Sequence, residues 1–126
     1  MATEYYGEHW TVAESLSHKL GVPYEPCQDW EFTRARADKL SAWLGVFDSD
    51  SLTWPERTLL LSLLISSYRS GVKAGQDQRG HLPRLSAALA TSEELSAKME
   101  SFWWRGASAE DRELLADLFE RSRPAA

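Results

Sequence analysis

The chain of 126 residues is 43% apolar and carries six tryptophans, four tyrosines and four phenylalanines, enough to furnish the core of one domain and too apolar for disorder beyond the ends. A single cysteine, Cys27, excludes an intramolecular disulfide framework and points to a reducing, cytoplasmic setting. The net charge of −5 divides into −5 over residues 1–55, +3 over 56–90 and −3 over 91–126, which opposes general nucleic-acid binding and leaves one basic stretch in the middle.

The opening "MATEYYGEHW" has neither the basic start nor the apolar run of a signal peptide, and residues 1–8 read as a flexible lead-in. "TVAE" at 11–14 has the form of a capping box, so a first helix is predicted over 12–20, closed at Gly21. Its apolar side is Val12, Leu16 and Leu20. Glu14 and His18 lie one turn apart on the other side and read as a solvated surface, because two ligands alone do not hold a metal.

Cys27 follows Pro26 in a loop with no local base, and reads as an inert thiol. A second helix is predicted over 30–44, with "LGV" at 44–46 as its stop. At 100° per residue its apolar arc contains Trp30, Phe32, Ala37, Leu40, Trp43 and Leu44, and Arg36 falls inside that arc. A buried guanidinium needs a partner, so Arg36 is expected to be substantially buried, either in an internal ion pair with a flanking carboxylate or stacked on a tryptophan face with its charged end reaching outward. The alternative is a charged clamp in a pocket. Asp48 and Asp50 in "DSD" lack the remaining ligands of a calcium loop and read as a polar turn.

"TWPE" at 53–56 opens a third helix, expected over 54–70 and ended by "SGV". Leu60, Leu61, Leu63, Leu64, Ile65 and Tyr68 cover most of its circumference, which makes it the centre of the fold. Its apolar run is too short to cross a membrane. Thr58, Ser62 and Ser66, spaced by four, form a strip suited to close helix approach, with a solvent face as the alternative.

The segment "GVKAGQDQRGHLPR" at 71–84 reads as the longest irregular stretch, mobile and basic through Lys73, Arg79, His81 and Arg84. Its glycine spacing is not that of a phosphate-binding loop. Further helices are expected over 83–90, from Pro83; over 92–104, from the "TSEE" cap at 91–94; and over 109–122, from "SAED" at 108–111. Residues 123–126 read as a tail.

"SFWWRG" at 101–106 poses a geometric problem, since adjacent helical side chains diverge by 100°. Leu95, Met99, Phe102 and Trp103 make one core stripe, and Trp104 falls opposite. It either covers the last helix through Leu114, Leu115 and Leu118 or anchors a partner beside Arg105.

These elements predict an all-α, compact single-domain bundle of five to six short helices around the helix at 54–70. No cofactor or metal is expected. The functional expectation is a non-enzymatic cytoplasmic protein–protein interaction module, of the kind found in small inhibitor or immunity-type proteins and complex subunits. Its partner is another protein, met by Trp104, Arg105, Lys73, Arg79 and Arg84. The alternatives are a nucleic-acid-associated protein using the basic 71–84 segment and, below that, a small enzyme with a Cys/His site assembled by folding.

Overall fold

A computed structural model describes residues 2–22, 36–49, 52–105 and 107–122 of the chain. The fold is all-α, with six α-helices among the described residues: α1 (Ala2–Leu20), α2 (Leu40–Phe47), α3 (Trp54–Lys73), α4 (Leu82–Leu89), α5 (Glu93–Met99) and α6 (Ala109–Ser122). Short 3₁₀ turns at Ala37–Lys39 and Arg79–His81 lead into α2 and α4, and α5 continues into a π-helical segment, Glu100–Arg105.

The helix expected to begin at 12 begins at Ala2, so the hydroxyl and carboxylate of "TVAE" lie within α1 rather than at its start. Among its described side chains Ala13, Leu16 and Ser17 are buried, and Leu20 packs at the edge of the core. The predicted stop holds. Gly21 adopts φ 71°, its N–H donates to His18 O and that of Val22 to Ser17 O, which closes the last turn on its own carbonyls.

Cys27, Trp30 and Phe32 lie outside the described residues, as does residue 106. From Arg36 onward the expectation of one helix over 30–44 needs correction. Arg36 is extended, with φ −146° and ψ 110°, and α2 starts only at Leu40 and runs through Gly45 to Phe47. Leu40, Trp43, Leu44 and Phe47 are its buried residues, an i, i+3, i+4, i+7 stripe.

Both halves of the predicted capping box form at the start of α3. The Glu56 N–H donates to Thr53 Oγ1 at 3.3 Å, and the Thr53 N–H donates to Glu56 Oε1 at 2.8 Å. Arg57 turns back over the end of α2, donating to Phe47 O and Ser49 O, each at 3.2 Å, with its guanidinium 4.9 Å from the Phe47 ring centroid. Leucines, Ile65 and Tyr68 bury α3 nearly all round, and every other helix packs on it. Within the small-residue strip, Ser62 and Ser66 are buried, as close packing requires.

The stop expected at Gly71 lies four residues further on. α3 passes through Gly71 to Lys73, and Gly75, at φ 80°, reverses the chain with Gln76 N–H donating to Gly71 O. Gly71 is glycine for lack of room. A Cβ there would stand 2.7 Å from Gln78 Nε2, 2.8 Å from Gln78 Cδ and 2.9 Å from Ala37 Cβ. Gly71→Ala is expected to destabilise the fold by roughly 1–3 kcal/mol, measured by urea denaturation, because three contacts must spread at once. Adding Gln78→Ala is expected to recover part of that loss, since two of the three contacts belong to Gln78.

The remaining starts follow the sequence with small shifts. Pro83 sits in the first turn of α4, whose buried residues are Leu82, Leu85, Ala88 and Leu89. The cap of α5 is Ser92 rather than Thr91, whose hydroxyl instead donates to Ala88 O at the end of α4. Ser108 Oγ accepts from the Asp111 N–H at the head of α6, but the Asp111 carboxylate is turned elsewhere.

Candidate interaction site

The pair of adjacent tryptophans is resolved by a change of helix type. A π turn closes i→i+5, so each residue rotates by less than the α-helical step. From Glu100 to Arg105 every side chain therefore lags behind its expected bearing. Trp103 moves to the centre of the core stripe, Trp104 swings down from the opposite face, and Phe102 leaves the stripe altogether. Trp103 is buried, as the sequence predicts. Phe102 is 55% exposed, which overturns its assignment to the core.

The Trp103 indole N–H donates to Ser62 Oγ at 3.1 Å inside the protein, so the small-residue strip of α3 supplies an acceptor as well as space. Phe102 stands edge-on to Trp103, with ring centroids 5.3 Å apart. Trp104 is half-buried against Phe119 of α6 at 5.5 Å, the covering role that was one of its two sequence readings. Arg112 completes this corner. Its Nε donates to Trp104 O at 2.9 Å and one Nη to Arg105 O at 3.2 Å, so a single guanidinium caps two carbonyls at the end of the π segment.

Beside Phe102 lies an open cleft of about 650 Å³, lined by Arg69 of α3, Lys98, Ser101, Phe102 and Trp103, and the start of α6 at Ala107, Ser108 and Asp111. Asp111 bridges two helices here. Its carboxylate accepts from Arg69 Nε at 3.0 Å and lies 3.5 Å from Lys73 Nζ. The hydrogen bond from Arg69 holds its carboxyl below the ordinary aspartate value against the opposing effect of burial.

The basic residues predicted to meet a partner do not converge. Lys73 pairs with Asp111 and reaches Glu110 at 4.0 Å. Arg79 forks onto Asp77, two residues away, at 3.1 Å through both Nε and Nη; this contact holds the Asp77 carboxyl down at about 2. Arg84 donates to Asp48 at 3.4 Å and to Ser41 O at 3.5 Å. Only residues 74–78 of the expected long loop lie outside helical turns.

Arg36 is not buried. Its side chain is 56% exposed and grips Asp38 by two bonds, 3.1 and 2.8 Å, while its backbone N–H donates to Ser67 Oγ. The flanking carboxylate is the expected partner, but the burial failed because the 100° phase that placed Arg36 in an apolar arc does not apply to extended backbone. Glu14 and His18 are exposed, and no group of three potential metal ligands occurs among the described residues.

Lys98 and Phe102 are absent from the sequence-derived site because an α-helical count puts Phe102 inside. The available signal was "WW" itself: two adjacent tryptophans that both require cover favour a wider turn. Comparison with known protein families, curated proteins and solved structures gives no match.

Proposed function

We propose that the chain is a non-enzymatic protein–protein interaction module, of the inhibitor, immunity-type or complex-subunit kind, that docks through its π segment with Phe102 as the anchor. The exposure of Phe102 at the edge of a cleft carries this reading. Among the described residues the exposed large apolar side chains are Trp54 and Phe102; Phe102 is the more exposed, and the π turn that presents it outward is a kind of segment that recurs at functional sites. Trp104, the sequence-derived anchor, has part of its surface committed to Phe119, and Arg105 is exposed. The pairing of Lys73, Arg79 and Arg84 with carboxylates supports a protein partner over phosphate contacts.

The test is photo-crosslinking in native cells. p-Benzoylphenylalanine at position 102 is expected to trap a discrete protein adduct, and the same group at exposed Lys39 is not. Adducts at neither position, or equally at both, would overturn the reading. Two substitutions give the thermodynamic contrast. Phe102→Ala is expected to abolish capture while costing at most about 1 kcal/mol of stability. Trp104→Ala is expected to cost roughly 2–3 kcal/mol of stability through lost packing on α6.

A further inference from the structure

Resting on that docking reading, we infer that the occupant of the Phe102 cleft is an acidic peptide segment carrying an apolar side chain next to a carboxylate. Two features of the site define this chemistry. Phe102 and the edge of Trp103 offer an aromatic floor, against which an apolar side chain loses water on contact. Lys98 lies one helical turn before Phe102 on the same side, lines the cleft, and enters no ion pair among the described residues.

The local balance of charge is opposite to that of the whole chain. Arg69 and Lys98 face the cleft against the single carboxylate of Asp111, and Asp111 is already engaged by Arg69 and Lys73. A positive mouth on a protein of net charge −5 attracts a short acidic segment at close range. It also repels a basic partner. A nucleic acid fits less well: phosphate binding needs several converging cations, whereas Lys73, Arg79 and Arg84 are each paired elsewhere. One carboxylate needs only Lys98.

The experiment is selection from a phage-displayed library of random linear peptides against the intact chain. The enriched peptides are then synthesised and their binding measured by fluorescence anisotropy, with fluorescein-labelled oligothymidine as the nucleic-acid probe. Enriched peptides are expected to combine Asp or Glu with a Leu, Phe or Trp nearby. Their affinity should fall roughly 30-fold with Phe102→Ala, the size of a hot-spot loss. Lys98→Glu should weaken binding by roughly tenfold and Lys98→Gln by less, in the order expected of a charge contact, and added salt should reduce the wild-type affinity. Both positions are exposed, and circular dichroism melts verify that each variant is folded.

Peptides that depend on Phe102 but are neutral or basic would overturn the acidic occupant and leave the docking reading standing. Failure to enrich any peptide that depends on Phe102 would overturn both. Oligothymidine bound with the same dependence on Phe102 and Lys98 would replace the peptide with a single-stranded nucleic acid.

Discussion

Trp103→Ala is expected to destabilise the protein by about 3–5 kcal/mol, the largest effect of any single substitution considered for this chain. Trp103 is 5% exposed and packs within the core, so truncation removes a large apolar surface and leaves a cavity. It also strands a hydroxyl, because Ser62 Oγ loses the indole N–H that satisfies it at 3.1 Å. The two contributions are separable. Trp103→Phe keeps much of the ring volume but orphans Ser62, and is expected to cost roughly 1–3 kcal/mol beyond the volume lost. Adding Ser62→Ala should return part of that increment, since no unsatisfied group then remains. Urea denaturation of the wild type, Trp103→Phe, Ser62→Ala and the double variant measures these terms, and strict additivity would show that the hydrogen bond contributes nothing.

The second large effect is expected at Glu56, which is 3% exposed and joins α1 to α3. Besides capping through the Thr53 N–H, its carboxylate accepts from Ser15 Oγ at 2.6 Å and from Lys19 Nζ at 2.8 Å. Burial pushes the carboxyl up, but the bonds from Lys19, Ser15 and Thr53 together outweigh it and hold the carboxyl down at about 2, against an ordinary 4.5. A depressed carboxyl means that the folded state binds fewer protons than the unfolded chain. The stabilisation is therefore complete above about 4.5 and is lost as pH falls from there through about 2. Its size is roughly 2–3 kcal/mol once solvent screening at the partly exposed Lys19 is allowed for. Glu56→Gln should be less stable than the wild type by about that amount at neutral pH, and the difference should close toward the acid limit. Urea melts across that range measure it; a difference constant with pH would show that the charge has no part in the junction.

Helix starts and stops governed by local chemistry were readable in advance. Thr53, Pro55 and Glu56 specify the head of α3 within four residues, and Gly21 ends α1 because a short-range reversal requires its positive φ. Gly45 and Gly71 look identical in sequence, yet both lie inside helices. At Gly71 the reason is a neighbour seven residues on, the Gln78 side chain, which no local pattern announces. The sequence also offers no way to weigh Thr11 against an α1 that starts nine residues earlier, since capping residues inside a helix carry the same letters as caps at its end.

The candidate site divides in the same way. An all-α bundle centred on α3 follows from the sequence alone, because an almost wholly apolar helix has to be surrounded, and the serine caps at Ser92 and Ser108 mark where two of its neighbours begin. The burial of Trp103 follows from the same periodicity. Tertiary structure decided which partners the charges find: Arg69 and Lys73 meet Asp111 across some forty residues, and Glu56 meets Lys19 across a similar span. It also decided the π turn. Covering Trp103 with Ser62 and Trp104 with Phe119 requires less rotation between them than an α-helix allows, and the same lag turns Phe102 outward. Periodicity assumes one helix geometry throughout, so the residue proposed as the anchor is the one it assigned to the core; only the simultaneous packing of two adjacent tryptophans against different helices places it at the surface.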